Sequence, residues 1–259
     1  MALNPRIRDW QDRRCWIIGA STGIGAALAG RLAAAGARVA VSARRAGPLE
    51  ALAGGVAKGK GVALPLDLPH APPLEKAAAK LAKAWGGVDL VVVMAGEYKP
   101  VRAWELEASA ARSMVEVNLV GALNALAAVV PRLLAQGSGT IALVSSVAGY
   151  RGLPKSLVYG PTKAAVINLA EALYLDLQPK GIGVCVVNPG FVRTPMTAQN
   201  DFRMPALIEP EEAADEIMKG LEAGEFEIHF PKRFTRFLKL LRVLPYARYF
   251  PAVRKATGL

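Results

Sequence analysis

Seven short apolar runs alternate with six longer helical stretches along the chain, and few architectures accept that order. The runs lie at 15–18, 38–42, 61–66, 88–94, 140–145, 183–187 and 227–230. The stretches of helical character lie at 24–34, 48–53, 72–84, 108–134, 157–178 and 210–222. Parallel strands need crossovers of a dozen or more residues, which helices supply, and strands covered on both faces are apolar throughout rather than alternating. The pattern therefore predicts an α/β fold, a doubly wound parallel sheet of about seven strands with helices on both faces. At 259 residues, with no internal repeat, Gly/Ser linker or low-complexity tract, one domain over 1–259 is the economical reading.

Directly after the first run comes Gly19-Ala20-Ser21-Thr22-Gly23-Ile24-Gly25, opening the first helix. Glycines here let the chain turn tightly and bring backbone close to a pyrophosphate, while the helix N-terminus offers N–H donors and a positive dipole. This is the position of the phosphate-binding turn of a Rossmann-type dinucleotide site. An acidic residue about twenty positions on would hold a ribose 2′-hydroxyl. Here the second run ends Ser42-Ala43-Arg44-Arg45 with no carboxylate, which favours NADP over NAD, with NAD as the alternative cofactor. The plainer reading leaves Arg44 and Arg45 solvated in a loop.

Tyr159 and Lys163 stand four residues apart, so one helix face can carry both. A nearby ammonium favours the phenolate, which predicts a lowered tyrosine pKa and acid/base chemistry near neutral pH. Ser146 follows the fifth run, at the carboxyl edge where open α/β sheets bind ligands, and its hydroxyl suits a hydrogen bond to a carbonyl oxygen. Asn118 interrupts an apolar stretch. A buried amide there either satisfies core backbone or holds water near the site. Each signal alone is weak.

In this order and spacing the residues resemble the short-chain dehydrogenase/reductase superfamily from Arg14 to about Phe230. The likeness runs through Gly19, Gly23 and Gly25, Asp67, Ala95-Gly96, Asn118, Ser145-Ser146, Tyr159 with Lys163, and Asn188-Pro189-Gly190 with Thr194. It implies strand order 3-2-1-4-5-6-7 and an NADP(H)-dependent oxidoreductase acting on a small-molecule carbonyl or alcohol. By the same likeness Tyr159 would protonate the carbonyl oxygen, Ser146 would polarise it, Lys163 would hold the nicotinamide ribose, and Asn118 would keep a water in a proton relay. Asp67 and Leu68 would border the adenine. Ala95 and Gly96 would line the cofactor site, and Pro189, Gly190, Val192 and Thr194 would flank the nicotinamide. The family commonly forms homodimers and homotetramers. A non-catalytic NADP(H) sensor of the same fold is the alternative, but it has no need of the four catalytic residues kept here. Two positions depart from the pattern. Met94 replaces the Asn that usually precedes Ala-Gly, and Pro161 falls between Tyr159 and Lys163, where it would free the Leu157 carbonyl and can kink a helix, although its place near the helix start predicts that the site geometry survives.

Residues 190–209 form a long irregular segment at the position of the family's substrate loop. Phe191, Met196, Phe202, Met204 and Leu207 make it apolar, which suggests a hydrophobic substrate or a cover for the core. The net charge of +11 concentrates at the end of the chain. Residues 232–259 hold eight basic and no acidic residues, and the other 24 basic residues nearly balance 21 acidic ones. In helical projection Phe234, Phe237, Leu238, Leu241 and Leu244 cluster opposite Arg236, Lys239 and Arg242, a basic amphipathic extension that Pro245 ends. It suits an anionic membrane surface, its own domain or another subunit. Aromatic residues are few and no reader motif is present, so nucleic acid is not indicated. No apolar run reaches about eighteen residues, and 1–14 lacks the apolar stretch of a signal peptide, so the expected location is cytoplasmic, with a peripheral membrane role open. Cys15 and Cys185 sit in apolar runs and read as small core residues. No metal-ligand cluster is apparent.

Overall fold

A computed structural model describes residues 2–57 and 59–258, so Met1, Lys58 and Leu259, the last residue of the basic extension, lie outside the described residues. The strands are β1 (Arg14–Ile18), β2 (Arg38–Ser42), β3 (Gly61–Ala63), β4 (Leu90–Val93), β5 (Gly139–Val144), β6 (Ile182–Pro189) and β7 (Glu227–Phe230). All pair in parallel in the order β3-β2-β1-β4-β5-β6-β7. The order reverses between β1 and β4, which opens a crevice at the carboxyl ends of the strands.

Successive side chains of a strand point to opposite faces, and here both faces are apolar. Trp16, Ile18, Val91, Val93, Ile141 and Leu143 join one core cluster, and Cys15, Ile17, Leu90, Val92 and Ala142 join the other. The first is covered by α3 (Ala71–Trp85), α5 (Gly121–Gln136) and α6 (Tyr159–Leu177), through Leu81, Val129 and Val166. The second is covered by α1 (Gly23–Ala34) and α7 (Pro210–Ala223), through Leu28, Leu32 and Ile217. Each such side chain stabilises the fold by about 1.5–3 kcal/mol relative to exposure. Both cysteines are free and buried.

The remaining helices are α2 (Ala46–Gly54), α4 (Ala108–Val115), α8 (Lys232–Arg242) and α9 (Tyr246–Thr257). Four elements differ from expectation. The strand expected over 61–66 ends at Ala63 because Pro65 has no N–H to give the ladder, although Leu64 and Leu66 still donate to Val41 and Ala43. The single helix expected over 108–134 is split by a π-helical turn, Glu116–Val120, between α4 and α5. The whole span Ala108–Gln136 is long and apolar enough to cross a membrane by length and composition, yet Ala122, Ala125, Val129 and Leu133 belong to the core. α6 starts at Tyr159 rather than at 157, which puts Pro161 in its first turn, where the backbone N–H has no helical partner to lose. The helix runs unbroken to Leu177, so the geometry survives Pro161, as its place near the helix start predicts. Beyond Pro245, which ends the first tail helix as expected, α9 forms where no helix was foreseen.

Candidate active site

The turn between β1 and α1 is built on glycines that no other residue could replace without moving backbone. Gly19 has φ of 104°, and a Cβ there would stand 2.4 Å from the Ala95 nitrogen. One on Gly25 would lie 2.2 Å from the Gly19 carbonyl oxygen and 2.8 Å from Met94 Sδ. Met94 therefore fills the space beside the turn with a thioether, and the sheet closes without the usual asparagine. The N-cap Thr22 makes no side-chain cap and the first turn of α1 has no acidic residue, so the N-terminal amides of α1 are left to an anion.

The turn forms one wall of a cleft of about 690 Å³. Gly19, Ser21, Thr22, Gly23, Ile24 and Gly25 line it, with Arg44 and Arg45 after β2, Asp67 and Leu68 beyond β3, and Ala95 and Gly96 after β4. Ser146, Tyr159, Lys163, Pro189, Gly190, Val192 and Thr194 complete it. Every residue expected at the site lines this cleft except Asn118. Arg44 and Arg45 are exposed and have no ion-pair partner among the described residues.

Lys163 is 4% exposed. Its Nζ donates to the Val144 carbonyl at 3.0 Å, and Ser145 Oγ donates to the Lys163 carbonyl at 2.7 Å, so the first turn of α6 is pinned to the end of β5. Gly149 permits the approach, since a Cβ there would lie 2.7 Å from the Lys163 carbonyl carbon. The ammonium lies 5.6 Å from the centre of the Tyr159 ring. Burial pushes the Tyr159 phenol up to about 12, with the Ser146 hydroxyl acting the other way, and burial lowers Lys163 to about 8. The lowered tyrosine expected from its neighbour is therefore not found, because desolvation by burial dominates and the Ser146 hydroxyl opposes it only in part. Ser146 Oγ accepts from the Ala148 amide at 3.1 Å, which leaves its own hydrogen free to donate.

Asn118 sits in the π turn and is 2% exposed. Its Oδ1 accepts from the Glu97 amide at 2.7 Å, and its Nδ2 donates to the Glu97 carbonyl at 2.9 Å and to Thr162 Oγ1 at 3.1 Å. Of the two roles foreseen for its side chain, the contacts are those of a backbone brace. It ties the loop after β4 to α6 one residue from Lys163.

Tyr98 supports the site from behind Tyr159, and the sequence did not mark it. Its ring packs edge-on against Tyr159, with centroids 4.9 Å apart, and its hydroxyl donates to Asn200 Oδ1 at 2.9 Å. Its place three residues beyond Ala95 at a strand end was the one available signal. Asn200 belongs to the 190–209 segment, which is pinched at its base by a parallel bridge between Val192 and Ile208 and a 2.7 Å pair between Arg193 and Glu209. Met196 lines the cleft, whereas Phe191 packs on Phe202 at 5.7 Å and on Phe234 of α8 at 5.8 Å.

The basic extension folds back on this sheet through Phe234, Thr235 and Leu238 of α8 and Tyr249 of α9. Lys239, expected on the solvent arc, pairs with Glu227 at 2.6 Å, and that carboxylate also accepts from Tyr150 and Asn188. Arg151 donates to the Leu241 and Leu244 carbonyls at the end of α8 and lies 4.0 Å over the Tyr249 ring.

The family profile described as short chain dehydrogenase matches residues 13–204. An uncharacterized oxidoreductase of Myxococcus xanthus (strain DK1622) is 36% identical over 247 residues, covering 94% of this chain and 97% of the relative. Another, of Staphylococcus haemolyticus (strain JCSC1435), is 33% identical over 205 residues, covering 79% and 89%. Among solved structures, a short chain dehydrogenase from Burkholderia cenocepacia J2315 in complex with NADP superposes with a TM-score of 0.81 at 25% identity, covering 96% of this chain and 98% of that one. With its sheet order, its glycine turn and its tyrosine and lysine on one cleft, the chain belongs to the short chain dehydrogenase family.

Proposed function

We propose that this chain interconverts a carbonyl and a secondary alcohol with NADP(H), on a lipophilic small-molecule substrate. One observation carries the reading: the glycine cradle, the exposed Arg44 and Arg45, the half-buried Tyr159 and the buried Lys163 all face a single cleft. The cofactor fits on local grounds. The turn admits no Cβ at Gly19 or Gly25, the amides of α1 are uncapped, and the cleft is of ligand-binding size. The solved relative in complex with NADP supports the same choice.

When bound, the nicotinamide supplies hydride for reduction or receives it in oxidation. The residues 19–25 would hold the pyrophosphate, Arg44 and Arg45 the 2′-phosphate, and Asp67 and Leu68 the adenine side. Ala95 and Gly96 would lie along the middle, with Pro189, Gly190, Val192 and Thr194 beside the nicotinamide. Tyr159, protonated throughout the neutral range, gives its phenolic proton to the carbonyl oxygen in reduction and takes it back in oxidation. Ser146 donates its free hydrogen to the same oxygen, which stabilises the charge that develops there. Lys163 would hold the nicotinamide ribose, and it places positive charge near Tyr159. Asn118 acts as a positioning residue, fixing the Gly96–Glu97 backbone and α6 relative to one another. Residues 190–209 form the substrate loop, and Met196 gives the cleft an apolar lining, which supports a lipophilic substrate.

The reading places one Rossmann-type domain over 1–259 in the cytoplasm as a homodimer or homotetramer, with 232–259 fitted to an anionic membrane surface. NADPH oxidation followed against a panel of aldehydes and ketones tests it. Activity that grows with the apolar size of the carbonyl is expected. Preference for sugars or small hydroxy acids would overturn the substrate class, and no turnover on any carbonyl or alcohol would overturn the function.

A further inference from the structure

We propose that the outer face of α8 and α9 docks on an anionic lipid bilayer and that this face is already built in the folded chain. α8 carries its apolar residues out of step with its own seat on the domain. Thr235 is fully buried and Lys239 is paired with Glu227, so the helix meets the sheet on the sector between them. At about 100° per residue, Phe237 and Leu240 lie roughly 140–160° away from Thr235. They are 53% and 63% exposed. A helix that only capped its own domain would have these residues inside.

Charge selects the occupant. Lys232 and Lys239 are paired with Glu225 and Glu227, but Arg233, Arg236, Arg242, Arg248, Arg254 and Lys255 are exposed and have no carboxylate partner among the described residues. Arg233 and Arg236 fall beside Leu240 on the same outer arc, so cationic and apolar groups are interleaved on one exposed face. A second copy of the chain would set six unpaired positive charges against six more. An anionic bilayer answers both components, since headgroups meet the guanidinium groups and the acyl boundary takes Phe237 and Leu240. Tyr246 and Phe250 of α9, stacked at 5.5 Å and both more than half exposed, extend the apolar strip. Arg151 fixes the hairpin by holding the carbonyls at the end of α8 and stacking on Tyr249, so docking needs no folding step. Phe234, on the flank of α8, touches Phe191 of the 190–209 loop, which ties the helix to that loop. Docking stands independently of the reductase reading. Only its consequence, entry of a lipophilic carbonyl from the bilayer, rests on that reading.

The test is co-sedimentation of the full chain with vesicles of mixed phosphatidylglycerol and phosphatidylcholine, and with phosphatidylcholine alone, at low and high salt. Binding to the anionic vesicles, weakened by salt, is expected. The Arg233→Gln/Arg236→Gln variant should bind roughly thirtyfold more weakly. Phe237→Glu/Leu240→Glu should lose binding while keeping the thermal unfolding midpoint of the parent, because both side chains are exposed. Three results would each overturn the proposal: no binding at low salt, equal binding to phosphatidylcholine, or undiminished binding of the Phe237→Glu/Leu240→Glu variant. A dimer abolished by that variant, with no vesicle binding, would assign the face to a second copy and overturn it as well. Vesicle binding in a protein that reduces no carbonyl would leave docking in place and remove the reductase reading alone.

Discussion

Replacing Arg44 and Arg45 tests the cofactor reading where it depends on the fewest residues. Both follow the end of β2 and line the cleft, both are exposed, and neither is held by a carboxylate among the described residues, so their removal should leave the fold intact. A guanidinium about 4 Å from a phosphate charge gains about 1 kcal/mol per unit charge in water-like surroundings and about 4 where the dielectric constant falls to 20. Exposure puts these two near the water-like end. A 2′-phosphate carrying close to two charges then predicts about 2 kcal/mol for the arginine that touches it, or roughly thirtyfold in NADPH affinity. NADH has no such phosphate and should bind Arg44→Ala, Arg45→Ala and the double variant as it binds the parent. The assay is cofactor dissociation constants by fluorescence titration, with kcat/KM for both cofactors on one carbonyl. Addition of a carboxylate through Ala43→Asp should favour NADH further by accepting from a ribose hydroxyl and repelling the phosphate. An NADPH-to-NADH ratio that is the same in the double variant as in the parent would refute the assignment and return both arginines to the solvated loop.

Three further outcomes follow from the geometry. Tyr98→Phe keeps the edge-on contact with Tyr159 but loses the bond to Asn200, about 1 kcal/mol, so KM should rise about fivefold with kcat little changed in steady-state kinetics. Gly19→Ala places a Cβ against Ala95 backbone at positive φ, which should cost on the order of 3 kcal/mol, lower the thermal midpoint by roughly 10 °C and abolish NADPH binding. Lys163, at about 8 in the folded chain against 10.5 unfolded, is a base with a lowered pKa. Between those values the unfolded chain binds the extra proton, so stability rises with pH through the window. Denaturant unfolding should show the parent gaining on Lys163→Met by on the order of 2 kcal/mol between about pH 7 and pH 9.5. A flat difference would mean that the ammonium is not desolvated.

The sheet was legible because its signal is redundant. Both faces of β4 and β6 are apolar, and each strand is separated from the next by a helix, so the topology has few alternatives. The cleft residues were legible because they sit at strand ends, where a parallel sheet gathers them on one edge. What escaped was set by tertiary context. Nothing in the residues of 108–136 marks the π turn, which becomes intelligible only once Asn118 is seen binding the Glu97 backbone. The tyrosine pKa was misjudged because spacing on a helix reveals a neighbour but not the burial that opposes it. Tyr98 was invisible because an aromatic in a loop has no period. The tail was misread in two respects: α9 forms beyond Pro245, and Lys239 lies on the polar arc of the projection but finds Glu227 of β7, a contact that no local pattern encodes.

The most direct test of the central claim is single-turnover carbonyl reduction by the parent and by Tyr159→Phe at saturating NADPH. The variant keeps the ring that packs on Tyr98 and removes only the phenolic hydroxyl, and with it the proton to be transferred. The account predicts NADPH affinity equal to that of the parent and a rate lower by about 10²–10⁴-fold. Undiminished turnover in Tyr159→Phe would contradict it.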